Sequence, residues 1–273
     1  MAARALTDCF EGGEGPPLVL LHGIGGSWHV WRPVIPLLEG RHRIYAPTLP
    51  GHPGGEPWPA DTEATVDGVV DRLAADFSRR GIVRPHLAGN SLGGWIALEL
   101  ARRGIAASVT ALSPAGAWRS ERDYRAVARR FRVVHALMPF LISALKPLLG
   151  FAAVRRSLSA QAMEHGDRVP RDEMLRAMRS LAGTRILPQL LTTIGRDGSI
   201  RPLTGVHPPI TIAWGERDKV IPFEIFGAPM LAAAPGATAT TLAGCGHVPM
   251  VDDPERIAAL ILATTSSVPG GRI

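Results

Sequence analysis

Lysine is nearly absent: of 30 basic residues in this 273-residue chain only Lys146 and Lys219 are lysines. Set against 24 acids, the basic residues leave a formal charge of +6. The arginines are scattered through a chain with only 5% aromatic residues and no nucleic-acid motif, so no nucleic acid is expected as a partner. Cysteine is scarce too: Cys9 and Cys245 are too few and too far apart for a disulfide framework or a metal site. They suit a reducing cytoplasm, and neither a metal nor a cofactor is expected. No apolar run reaches the roughly 18 residues that a membrane span needs, and residues 1–15 lack the apolar core of a signal peptide. The expectation is a soluble, unexported, cytoplasmic protein without stable membrane association. What is present is 46% hydrophobic residues, with 30 glycines and 24 prolines. That suffices for a substantial core, in one large domain or one domain with an insertion.

The first 115 residues alternate short apolar runs with helical patterns. Strands are expected at 17–21, 43–46, 84–88 and 109–112, with helices over 62–80 and directly after Ser91. Strands alternating with helices of this length imply parallel pairing with crossover helices, hence an open α/β sheet. From about 117 to 205 no strand pattern is found. Four helical stretches are expected there, near 120–137, 140–164, 170–182 and 184–195, broken at Pro139, Pro147, Pro170 and Pro188. Strand patterns resume at 209–214 and 237–242, a closing helix is expected over 254–264, and the tail 266–273 reads as frayed. Residues 1–116 and 206–273 would then form the core, and 117–205 a helical insertion.

Gly89-Asn90-Ser91-Leu92-Gly93 sits between an expected strand and an expected helix, the context of a G-x-S-x-G nucleophile elbow. A sharp turn there strains the serine backbone and crowds both flanks so closely that only glycine fits. Composition alone gives about 0.16 chance matches to such a motif, so it needs independent support. Support comes from Trp214-Gly-Glu-Arg-Asp218, where an acid follows an apolar strand, and from Gly244-Cys-Gly-His247, a histidine after the last strand. Serine, acid, histidine is the chain order of a triad built on an open α/β sheet. All three fall at carboxyl ends of strands, where ligands bind in such sheets. Glu216 and Asp197 are weaker candidates for the acid. Cys245 reads as a small buried packing residue, because a cysteine nucleophile would have to occupy the elbow.

With these residues the chain resembles the α/β-hydrolase superfamily, and most closely its cap-bearing, esterase-like members, over about 16–115 and 205–264. The resemblance implies a mostly parallel sheet flanked by helices, with 117–205 as the helical cap. It implies Ser91 as nucleophile, Asp218 as acid and His247 as base. His22-Gly23-Ile24-Gly25-Gly26 is similar to the family's oxyanion loop, which gives the Ile24 N–H and the Leu92 N–H as oxyanion donors, with His22, Gly23, Gly89 and Gly93 in support. A serine at the elbow departs from the family's haloalkane dehalogenases and epoxide hydrolases, which use aspartate. Val248 after the histidine departs from its carbon–carbon bond hydrolases, which commonly have tryptophan there, and Thr48 stands where aspartate is common. The expected activity is hydrolysis of a carboxylic ester or thioester of a small to medium apolar molecule. The alternatives are a carbon–carbon-cleaving or lyase-like relative using the same triad, and a ligand-binding member without turnover. The apolar stretch 137–149 is expected to roof the site if it does not simply pack on neighbouring helices.

Overall fold

The structure is a computed structural model that describes residues 8–205 and 208–268. Part of the expected frayed tail, the first seven residues of the expected leaderless start, and the expected core boundary at 206 lie outside the described residues. Seven strands, β1 (Cys9–Gly12), β2 (Pro17–Leu21), β3 (Arg43–Pro47), β4 (His86–Asn90), β5 (Ser108–Leu112), β6 (Ile210–Gly215) and β7 (Thr238–Leu242), form one sheet in the order β1-β3-β2-β4-β5-β6-β7. Only the β1–β3 pair is antiparallel. This is the open, mostly parallel α/β sheet expected from the strand and helix pattern, and the α/β-hydrolase fold that the resemblance implies.

The central strands read as continuous apolar runs because both faces of the sheet are covered. Leu18 and Leu20 of β2 point into one buried cluster with Trp31, Ile44 and Met250, while Val19 and Leu21 point into the other with Leu87 and Phe77. The chain steps outward from β2 to β3 and returns to β4 on the other side of β2. Strand order therefore reverses between β2 and β4, and a crevice opens at their carboxyl ends.

Nine α-helices occur among the described residues: α1 (Val66–Arg79), α2 (Leu92–Arg102), α3 (Glu121–Leu145), α4 (Ala152–Ser159), α5 (Arg171–Gly183), α6 (Leu187–Asp197), α7 (Ala228–Ala233), α8 (Pro249–Asp252) and α9 (Pro254–Ser266). In α1 the Thr65 hydroxyl accepts the Gly68 N–H, capping the first turn, and Val69, Val70, Leu73 and Phe77 make one buried stripe. Leu92 to Ala101 of α2 are all buried, so this helix lies inside the molecule against β4 and β5.

The region between β5 and β6 contains helices and no strand among its described residues, as the sequence suggests, but the breaks fall elsewhere. Pro139 does not end a helix: α3 runs through it for 25 residues. Proline removes one backbone donor and crowds the preceding turn, yet α3 is held on both sides of it. Tyr124 and Ala128 are buried ahead of the proline, and Met138 packs beside it with Met174, Leu175 and Met178 of α5. Helix 140–164 is thus replaced by the end of α3, a short 3-10 turn (Lys146–Gly150) and α4. Extended to Gly150, this is also a helix long and apolar enough by length and composition to cross a membrane, and only 11% of its most apolar 18-residue window is buried. Arg132 and Lys146 interrupt the run, so inspection of the sequence for uninterrupted apolar residues passes over it. β1, with only four residues and no clear alternation, is likewise absent from the sequence reading.

Candidate active site

Ser91 follows β4 directly and precedes α2, with φ 56° and ψ −118°. A positive φ is strained for a side-chain-bearing residue, and here three backbone bonds fix it. The Ser91 N–H donates to the Leu112 carbonyl (3.0 Å), and the Ser91 carbonyl accepts from Trp95 (3.1 Å) and Ala115 (3.0 Å). The flanking glycines are required sterically. A Cβ on Gly89 would lie 2.2 Å from the Gly93 carbonyl oxygen, and one on Gly93 would lie 2.3 Å from that of Leu21. The elbow therefore wedges β4, α2 and the end of β2 together.

The end of β2 leads into His22-Gly23-Ile24-Gly25-Gly26, and two buried histidines brace this loop. His22 Nε2 accepts the Leu49 N–H (2.8 Å), so Nδ1 carries the proton and donates to the Gly23 carbonyl (2.7 Å). His52 Nε2 accepts the Gly25 N–H (3.0 Å), and its Nδ1 faces the Pro50 carbonyl (3.2 Å). The rings meet edge to face, with centroids 5.0 Å apart. No hydrogen bond among the described residues uses the Ile24 N–H or the Leu92 N–H. Both residues line the cleft that also holds Ser91.

Burial lowers the pKa of both histidines, that of His52 to about 4, and the two rings also disfavour each other's charge at His22. In the unfolded chain histidine titrates near 6.5. The folded values lie below that, so the stabilisation is fully present above about pH 6.5 and is lost as pH falls toward 4. His52 alone contributes roughly 3 kcal/mol across this window. Thermal unfolding followed by circular dichroism should show Tm falling between pH 6.5 and 4, with a shallower fall in His52→Gln. An identical slope in the two proteins would contradict the bracing role.

Asp218 and His247 come from the loops after β6 and β7. Asp218 Oδ1 accepts the Val220 and Ile221 N–H groups, both at 2.9 Å, and Oδ2 accepts from His247 Nδ1 at 2.7 Å. Burial raises the Asp218 carboxyl, but the facing His247 and the Ile221 N–H outweigh it and hold the pKa below the usual carboxylate value. With Nδ1 donating to the carboxylate, Nε2 of a neutral His247 is an acceptor. Asn90 ties this loop to the elbow: its Nδ2 donates to the His247 carbonyl (2.8 Å) and to the Leu112 carbonyl (3.1 Å). The Ser91 hydroxyl itself makes no hydrogen bond among the described residues.

Asp252 fastens the same histidine loop to the helical region. One carboxylate oxygen accepts the Gly246 N–H (2.8 Å), the other those of Glu164 (2.9 Å) and His165 (2.8 Å). His52, Asn90 and Asp252 carry no short-range signal for these roles, because each bonds a segment remote in the chain, Asp252 in addition to the nearby Gly246. Of the weaker acid candidates, Glu216 is exposed and accepts the Gly244 N–H, and Asp197 pairs with Arg196. Cys245 is buried with its thiol raised to about 11 by that burial, a packing residue as expected. The Thr48 hydroxyl faces the Trp28 N–H at 3.5 Å, away from these groups.

The cleft above Ser91 has an apolar wall. From α3 it takes Tyr124, Val127, Ala128 and Phe131, one face at helical spacing. Residues 137–149 do not line it, which corrects the expected roof. Because α3 is unbroken at Pro139, it carries Leu137 about 9 Å past Phe131 along the helix axis. There Met138 and Leu149 pack against α5 instead. No group of three or more potential metal ligands occurs among the described residues.

Residues 18–260 match the model of the alpha/beta hydrolase family. An epoxide hydrolase, EphH, of Mycobacterium tuberculosis is 32% identical over 197 residues, which cover 71% of this chain and 91% of that protein. A pimeloyl-[acyl-carrier protein] methyl ester esterase of Methylococcus capsulatus is 31% identical over 260 residues, 91% of this chain and 94% of the esterase. An alpha/beta hydrolase fold protein from Burkholderia ambifaria superposes with a TM-score of 0.68 at 26% identity, covering 93% of each chain.

Proposed function

This chain belongs to the alpha/beta hydrolase family and is a hydrolase, and from that premise we propose that it cleaves carboxylic esters or thioesters of small to medium apolar molecules through an acyl-enzyme on Ser91. What carries this is the buried Asp218–His247 pair, 2.7 Å apart and joined through Asn90 to the elbow, whose Ser91 lines an apolar cleft. His247 Nε2 takes the hydroxyl proton as Ser91 Oγ attacks the carbonyl carbon, since a serine hydroxyl is a poor nucleophile until a base removes that proton. In an unliganded site this serine–histidine contact is commonly open and tightens with substrate.

The tetrahedral oxyanion lies against the Ile24 and Leu92 N–H groups, whose lack of other partners leaves them available without rearrangement. Such a donor contributes roughly 2.7–4 kcal/mol to transition-state stabilisation. His247 returns its proton to the leaving alcohol or thiol, then activates the water that releases the acid. Asp218 remains ionised throughout and offsets the imidazolium charge. An ester is favoured over an epoxide by the same chemistry. Serine opening an epoxide would leave an ether, which this machinery cannot hydrolyse, whereas attack on an ester leaves an acyl-enzyme that water resolves. Residues 117–205 act in this scheme as the cap, supplying one cleft wall through α3. No cofactor is required.

A series of p-nitrophenyl esters tests the assignment of substrate class. Extending the acyl chain from two to six carbons should raise kcat/KM by one to two powers of ten, because each methylene entering the cleft gains about 0.8 kcal/mol at most. Val127→Phe, which fills the cleft, should move the optimum to shorter acyl chains, while Leu141→Ala should leave the profile unchanged. A flat profile unaffected by Val127→Phe would sink the apolar-acyl reading.

A further inference from the structure

The outer side of the helix that walls the cleft is unusually apolar. Ten large hydrophobic residues are exposed among the described residues, and seven of them fall between Val133 and Leu158. Phe140 is 75% exposed, Phe151 64% and Leu137 49%. On α3, Ala126, Arg130, Val133, Leu137, Phe140 and Ala144 recur at alternating intervals of four and three, so they share one stripe along the helix. The inward side is occupied by Tyr124, Ala128 and Met138, which are buried. α3 is therefore fastened lengthwise to the molecule and lies on its surface.

The charges around this stripe have one sign. From residue 124 to residue 163 there are seven cations, Arg125, Arg129, Arg130, Arg132, Lys146, Arg155 and Arg156, and no aspartate or glutamate. All but Arg155 are exposed. None of the seven forms an ion pair among the described residues, although thirteen other arginines do so. Arg130 and Arg155 instead donate to main-chain carbonyls. A surface groove brings the two chemistries together, with Arg129 and Arg130 lining it beside Val133 and Val134. Val127 lines both this groove and the cleft over Ser91.

From this placement we infer that the outer face of α3, continued by Leu148 and Phe151, docks on an anionic phospholipid bilayer. Phe140, Leu137 and Phe151 enter the boundary between headgroups and acyl chains, and the surrounding arginines meet the lipid phosphates, as in helices that lie in the plane of an interface. The carboxylate-free stretch is the complement of an anionic surface. It opposes a two-fold contact with a second copy, which would set the same arginines against each other. Docking of this kind is peripheral and reversible, compatible with the expectation of no stable membrane association, and does not depend on which bond Ser91 attacks.

The test is flotation of the full-length protein with liposomes of phosphatidylcholine alone or with roughly 30% phosphatidylglycerol, using both the parent and Ser91→Ala so that binding is read apart from catalysis. Binding is expected only with the anionic lipid and should weaken at about 0.5 M salt. Phe140→Ser with Phe151→Ser should lower the partition coefficient tenfold or more, and Arg125→Gln with Arg129→Gln about tenfold or more. The phenylalanine and arginine double variants, made with Ser91 in place, should hydrolyse a soluble short-chain ester at the parent rate, which shows that they are folded. Absence of binding, equal binding to both liposomes, or binding insensitive to either pair of substitutions would overturn the inference. So would sedimentation velocity showing a dimer that Phe140→Ser dissociates.

Discussion

Ser91→Ala should lower kcat/KM for a p-nitrophenyl ester by roughly five to six powers of ten and leave the far-ultraviolet spectrum unchanged. The magnitude follows from the chemistry: the remaining groups can bind the ester and its oxyanion, but none can accept the acyl group. The fold should survive because the elbow is held by main-chain bonds of residue 91 to Leu112, Trp95 and Ala115, which alanine keeps. The hydroxyl contributes no hydrogen bond among the described residues. Residual activity within tenfold of the parent would mean that the nucleophile lies elsewhere.

Asp218→Asn should lower kcat by about four powers of ten with little loss of stability. The local bonds dictate how the amide must sit. Val220 and Ile221 donate to one oxygen of residue 218, so the asparagine oxygen takes that position and its NH2 faces His247. That NH2 is a donor, which forces Nδ1 of His247 to become an acceptor and moves the ring proton to Nε2. Nε2 can then no longer take the serine proton. Measuring kcat and Tm on this variant beside Glu216→Gln separates the two neighbouring acids, since Glu216 is exposed and accepts the Gly244 N–H. A large loss from Glu216→Gln with none from Asp218→Asn would reverse the assignment.

The parts of the site that can be read from the sequence are those whose constraint is local. Gly89 is dictated by steric crowding inside the elbow, Gly93 is legible by its fixed spacing from Ser91 although Leu21 does the crowding, and Asp218 by its position just after an apolar strand. His22 is legible because it belongs to the loop that it braces. His52, Asn90 and Asp252 are not, since each bonds a residue between 27 and 157 positions away, and the nearby Gly246 bond of Asp252 does not reveal its tie to the helical region. The same contrast holds for the fold. Strands buried on both faces are visible as apolar runs, whereas the antiparallel edge strand Cys9–Gly12 has one partner and no such run. Pro139 carries the strongest local signal for a helix end, and tertiary packing of Tyr124, Ala128 and Met138 overrides it. That override moves the apolar stretch 137–149 off the cleft and onto the outer surface.

The most direct test of the central claim is covalent labelling with a fluorophosphonate, read by intact mass and peptide mapping. The reagent transfers phosphorus only to a nucleophile activated as an ester would require, and its adduct occupies the oxyanion site. One adduct per chain is expected, located on Ser91, formed in step with the loss of ester hydrolysis, and slowed by several powers of ten in His247→Ala. Loss of ester hydrolysis with the adduct on another residue, or full turnover of esters with Ser91 unlabelled, would contradict the account.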